Sequence, residues 1–120
     1  MRGTNGSMRH HGGAAAEAQV ARHYAARGHR ILGRRWRGRG GEIDLIAGCG
    51  GETVFVEVKR AATHAAAARR LSDRQVRRLL AGASEYMADR PDGLLSPVRF
   101  DVALVDGHGR IEILENALQA

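Results

Sequence analysis

Lysine is nearly absent from this chain. Of its 19 basic residues, only Lys59 is not arginine. Cysteine is reduced to Cys49, which excludes an internal disulfide and fits a reducing compartment. Its surroundings, Gly48-Cys49-Gly50-Gly51, read as a turn with no metal-ligand spacing. Aromatic residues make up 4%, too few for a broad base-stacking surface. No apolar run approaches the length that spans a bilayer. The first residues carry no apolar signal-peptide core. Together these absences predict a cytoplasmic protein with no membrane partner.

What remains describes one domain. At 120 residues the chain can bury one core but not two. A hydrophobic content of 43% and a charged fraction of 27% fit a globular protein. The net charge of +6 attracts polyanions, among which nucleic acid is the commonest. An arginine-favouring genome raises Arg and Ala together and gives the same balance, so charge alone does not decide.

Residues 1–13 are glycine-rich and basic without apolar period, and predict a disordered tail ahead of a domain over 14–120. Ala14 to Arg27 predicts a helix closed by Gly28. His29 to Trp36 predicts a strand, followed by an arginine-glycine loop. Glu42–Ala47 and Thr53–Lys59 predict two strands around a glycine turn. Their alternation places Ile43, Leu45, Val54, Val56 and Val58 on one core face. Thr63 to Arg70 reads as a mobile loop. Ser72-Asp73-Arg74-Gln75 is a capping box opening an amphipathic helix with Val76, Leu79, Leu80, Ala83 and Met87 on its stripe. Pro91-Asp92-Gly93 ends it, and strands follow at Val98–Leu104 and Arg110–Leu114. The predicted class is α/β, a mixed sheet flanked by helices in the order helix-strand-strand-strand-helix-strand-strand.

The chemistry is concentrated in Gly41-Glu42-Ile43-Asp44-Leu45-Ile46 and Val54-Phe55-Val56-Glu57-Val58-Lys59. In an antiparallel pair, opposed residues share a face. Pairing Ile43 with Val58 and Leu45 with Val56 sets Asp44 opposite Glu57 and Glu42 opposite Lys59. Two opposed carboxylates repel, and a divalent cation with oxygen ligands compensates them. In a chain that otherwise uses arginine, Lys59 marks a place where an amine is required. Asp…Glu-x-Lys on neighbouring strands is the pattern of metal-dependent nucleases. The competing interpretation is an exposed hairpin face with a Glu42–Lys59 salt bridge.

Glu17 is a candidate further member, and a solvated helix residue is its alternative. Gln75 either reaches the site or only completes its capping box. Asp101 pairs most simply with Arg99 as structure. Arg35, Arg37, Arg39, Arg60, Arg74 and Arg78 are candidate nucleic-acid contacts, suited to phosphates and giving affinity without sequence choice. Trp36 either stacks on a base or is partly buried under arginine stems.

These residues, with Arg99-Phe100-Asp101-Val102 and Asn116-Ala117, resemble the YraN-like family of predicted bacterial endonucleases over roughly 14–118. That family is similar to archaeal Holliday-junction resolvases and has the restriction-endonuclease-like fold. The resemblance implies a metal site for Mg²⁺ or Mn²⁺ on Asp44 and Glu57, with Lys59 beside it and Glu17 as the helix glutamate. It implies phosphodiester hydrolysis on nucleic acid, DNA before RNA, with branched DNA as the candidate substrate, and a homodimer by analogy. The chain departs from the family at Ala61, where a basic residue is usual, and at Arg74-Gln75, where Lys-Gln is usual. A non-catalytic nucleic-acid-binding module on the same fold is the alternative.

Overall fold

The computed structural model describes residues 2–118, with side chains described from residue 13 onward and residue 94 excepted. Its elements are α1 (Arg2–Ala26), β1 (Arg30–Arg37), β2 (Glu42–Cys49), β3 (Glu52–Arg60), α2 (His64–Arg69), α3 (Asp73–Ala88), β4 (Val98–Val105) and β5 (Ile111–Leu114). The expected tail at 1–13 falls almost wholly on residues whose side chains lie outside the described set. Among the described residues no helix is long and apolar enough to cross a membrane.

The strands form one five-stranded mixed sheet in sequential order. β1, β2 and β3 are antiparallel neighbours, β3 and β4 run parallel, and β5 returns antiparallel to β4. The β2–β3 turn places Gly50 and Gly51 at φ of 59° and 87°, with Cys49 facing Glu52 across it. Two successive left-handed residues give the turn a twist that matches the strands it joins. The parallel β3–β4 pair needs a crossover, and α2 and α3 supply it.

Helices cover both faces of this sheet. On one, Ala16, Val20 and Tyr24 of α1 pack on Leu45, Val54, Val56, Ala103 and Val105. On the other, Leu79, Ala83 and Met87 of α3 pack on Ile43, Ile46, Phe55 and Phe100. This corrects the sequence expectation of one core face. Ile43 lies on the α3 side, opposite to Leu45, Val54 and Val56. β3 is therefore buried without interruption from Thr53 to Glu57, as expected of a strand covered on both sides. The second correction is the expected loop at Thr63–Arg70. It holds α2, capped by the Thr63 hydroxyl, which accepts from Ala66 N, and Ala67 is buried against Val102 and Leu104.

α3 begins as its sequence predicts. The Ser72 hydroxyl accepts from Gln75 N at 3.1 Å, and Gln75 Oε1 accepts from Ser72 N at 3.1 Å. Its far end is tied down by Glu85, whose carboxylate accepts the backbone N–H groups of Arg39 and Gly40 at 2.8 and 2.7 Å. Between these anchors the helix backbone meets Gly41. A Cβ there would stand 2.0 Å from Arg78 O and 2.5 Å from Gly82 N. Gly41→Ala is accordingly expected to lower stability by about 3 kcal/mol through forced separation of α3 from the start of β2. Urea titration measures it, and a loss below about 1 kcal/mol would refute the close contact.

Candidate active site at the parting of two strands

β2 follows β1 from Glu42 to Gly48 with one register shift between Ile31 and Gly33, and β3 follows β4 to its end at Arg60. The β2–β3 ladder itself stops at Leu45 and Val56. The expected Ile43–Val58 pairing is thus replaced by a divergence of the two strands. Asp44 sits where they part, and its Oδ2 accepts the Val58 N–H at 2.8 Å. A side-chain carboxylate takes over a main-chain donor that the ladder would otherwise have satisfied.

Glu57 adjoins Asp44 from the other strand, and the two carboxyl groups hydrogen-bond when Glu57 carries the proton. Lys59 Nζ lies 2.8 Å from Glu57 Oε2, both side chains being nearly enclosed. Lys59 therefore pairs with Glu57. Glu42 instead meets Arg37 Nε at 3.5 Å and Arg78 Nη2 at 3.4 Å, which corrects the expected Glu42–Lys59 opposition.

Burial pushes the Glu57 carboxyl up to about 7, and the neighbouring Asp44 charge adds to the rise against the Lys59 ammonium. Burial also raises Asp44, opposed by the Val58 N–H and by Lys59. Glu17, 8% exposed, is raised by burial and then by Asp44, against Arg35 and Arg34. Its reading as a solvated helix residue does not hold. Arg35 Nε stands 2.9 Å from Glu17 Oε1, although that oxygen receives no hydrogen bond.

Asp44, Glu57, Gln75, Glu42 and Arg78 line a recess of about 50 Å³. Gln75 Oε1 completes the cap, and the residue also borders the recess. On the α1 side, Glu17, Lys59, Arg60, Arg70 and Gln75 border a larger hollow of about 430 Å³. On the β1 side, Arg35 and Arg37 border a third with Asp44. Arg35, Arg37, Arg60 and Arg78 are thus brought around the acidic pair. Arg39 engages Glu85 through its backbone, and Arg74 is exposed in the first turn of α3. Neither borders these hollows.

Among the described residues no group of three or more His, Cys, Asp or Glu side chains is assembled to hold a metal. The donors drawn together are two carboxyl groups, with Glu17 affected by the Asp44 charge. This set suits a hard cation that takes one or two protein carboxylates and fills its other positions with water and phosphate oxygens.

Trp36 is half-buried, edge-on to Tyr86 at 5.7 Å between ring centres. Asp101 is fully buried and structural. It accepts from Tyr24 Oη at 2.6 Å, from Arg99 Nε and Nη2 at 2.9 Å each, and from Asn116 N at 2.9 Å. Sequence reasoning missed Glu85 as the residue fixing the arginine loop. The signal was present in the glycine-rich loop itself, where the main-chain donors of Arg39 and Gly40 need an acceptor.

The sequence profile described as "Uncharacterised protein family UPF0102" matches residues 16–105. The chain is 57% identical over 114 residues to a UPF0102 protein of Ruegeria pomeroyi, covering 95% of this chain and 93% of that one. It is 54% identical to one from Cereibacter sphaeroides, covering 97% and 99%. A relative from Dinoroseobacter shibae is 47% identical, covering 87% and 78%.

Proposed function

The chain belongs to the UPF0102 family, and from the acid–acid–amine cluster at its centre we infer a nucleic-acid-binding protein with a metal-dependent endonuclease site. One observation carries this reading. Asp44 and Glu57 converge where β2 and β3 separate, with Lys59 on Glu57 and arginines on both flanks. Burying two adjacent carboxyl groups is costly, and a bound divalent cation would offset that cost beyond what the Val58 N–H and Lys59 supply.

Asp44 and Glu57 are the residues that would hold Mg²⁺ or Mn²⁺. When bound, the ion supplies charge for the phosphate oxygens and acidifies a water. Lys59, released from Glu57, donates to a phosphate oxygen or orients that water. Water adds to phosphorus, the bond to one sugar oxygen breaks, and that oxygen leaves with a proton. Arg60 and Arg78 hold neighbouring phosphates as point contacts without base readout. The reading includes a cytoplasmic location, DNA before RNA, and a homodimer by analogy with resolvase-like enzymes, in which two cuts need two sites.

The test is cleavage of branched, flapped and single-stranded DNA in Mg²⁺ and Mn²⁺. Asp44→Asn is expected to lower the rate by about 100-fold or more, the scale for removing one element of transition-state charge stabilisation. Equal rates in both proteins would reject the site. The second reading, a module that binds without cutting, draws on the Lys59–Glu57 ion pair, which closes the site on itself. It predicts salt-sensitive DNA binding and no calorimetric signal on titration with millimolar metal.

A further inference from the structure

We propose that two adjoining hollows at the carboxyl end of β3 form a phosphate channel, with Arg60 and Arg70 as its cations, along which the strand to be cut leaves the acidic pair. The inference rests on the nuclease reading and adds to it the path of the substrate backbone. It also adds a contact on α2, Arg70.

The first hollow, of about 430 Å³, begins beside the site at Glu17, Lys59 and Gln75. The second, of about 480 Å³, continues over Ala61 and Ala62 to Gly107. Gly13, Arg60 and Arg70 border both. Between the two arginines the lining is backbone and small side chains, so a chain of phosphates can approach closely. That lining is held in place. Ala61 N donates to Val105 O and Gly107 N to Ala62 O, each at 3.1 Å. Even a Cβ on Gly107 would stand 3.3 Å from Ala62 O.

Arg60 ends β3 and Arg70 caps α2, and both are exposed. Among the described residues neither forms an ion pair with a carboxylate. The other arginines around the site differ, since Arg35 pairs with Glu17, and Arg37 and Arg78 pair with Glu42. The carboxylates beside the channel are already committed. Glu17 meets Arg35, and Asp106, next to Gly107 in the chain, accepts the N–H groups of His108 and Arg110. Two guanidinium groups on one hollow without a counter-charge make a site for anions, and their planar fork fits phosphate oxygens. No aromatic side chain borders either hollow, so bases find nothing to stack on and the channel holds the backbone alone. Its start beside Asp44, Glu57 and Lys59 favours a phosphodiester chain over an acidic peptide, because only the former presents a bond for that site to cut.

The full-length protein in chelator is titrated into a dye-labelled DNA single strand, the same strand carrying abasic residues, and labelled poly-glutamate. Anisotropy is read at salt from about 50 to 200 mM. Arg60→Ala and Arg70→Ala are each expected to weaken DNA binding severalfold. Each should also lower the slope of log affinity against log salt by about 0.7, the value for one phosphate contact on a single strand. The losses should be the same on the abasic strand. Arg22→Ala removes an equal charge from an exposed position of α1 that borders neither hollow, and should leave the slope unchanged. Arg70→Lys should keep the slope, which counts charges. Losses no larger than that of Arg22→Ala overturn the channel and leave the nuclease reading standing. Losses that vanish on the abasic strand show base contacts and overturn it as well. Poly-glutamate bound as tightly as DNA, with the same dependence on Arg60 and Arg70, replaces the strand with an acidic protein partner. An alanine loss that accompanies a lower melting temperature and that lysine does not restore shows structural arginines and overturns the channel. Failure of the parent to bind either strand overturns both readings.

Discussion

Asp101→Ala is expected to remove about 3–5 kcal/mol of folding stability, the range for breaking a buried ion pair from one side. The carboxylate is fully buried and receives four hydrogen bonds, two of them from Arg99. Truncation leaves the Arg99 guanidinium partly buried without its main counter-charge. It also leaves the Tyr24 hydroxyl and the Asn116 N–H without an acceptor. The latter two belong to α1 and to the segment after β5, so the loss is felt on both sides of β4. The Arg99 contacts to Glu52 at 3.5 Å and Glu115 at 3.8 Å are more exposed and too long to replace it. Asp101→Asn keeps the volume and one acceptor, and is expected to cost about half as much. Urea unfolding of the three proteins measures this. An alanine variant within about 1 kcal/mol of the parent would show that the network contributes little beyond its own desolvation cost.

The second large effect is a dependence of stability on pH that originates at Glu57. Its carboxyl titrates at about 7 in the folded protein, against 4.5 for the ordinary group. Between these values the folded protein holds a proton that the unfolded chain has released. Stability from this group is therefore fully present below about pH 4.5 and is lost as pH rises through 7. The full difference corresponds to roughly 3 kcal/mol. Asp44 is displaced in the same direction. Glu57→Gln fixes the neutral form, so the variant should match the parent near pH 4 and exceed it by about 3 kcal/mol near pH 8.5. The carboxylates of Glu85 and Asp106 are held low by backbone N–H groups and oppose this trend in acid, but they are common to both proteins and cancel in the comparison. A difference between parent and variant that stays flat across this range would remove the buried-proton account. Divalent metal should stabilise the parent at pH 8 and not the glutamine variant, since the ion competes with the Glu57 proton.

Much of this architecture could be read from residue order. Alternation located β2, β3 and β4, the Ser72–Gln75 pair located the start of α3, and the solitary lysine beside Glu57 drew attention to the acidic cluster. α2 escaped because Thr63–Arg70 is a run of alanine and arginine with no apolar period. Its one informative contact is Ala67 on β4. Glu17 was legible as a candidate but not as a buried residue, since a single glutamate on an alanine-rich helix carries no sign of what the helix covers.

The sequence by itself determined which segments become strands and which side chains alternate, because the two-residue period is a property of each strand alone. It also determined the identity of the acidic pair and its amine. Tertiary structure decided how far β2 and β3 stay together. That limit depends on the competing claims of β1 and β4, which draw the two strands apart at Asp44. From this divergence follow the transfer of Ile43 to the α3 face, the pairing of Lys59 with Glu57, and the diversion of Glu42 to Arg37 and Arg78. A ladder's length is settled by every neighbour a strand has, and no single strand encodes them all.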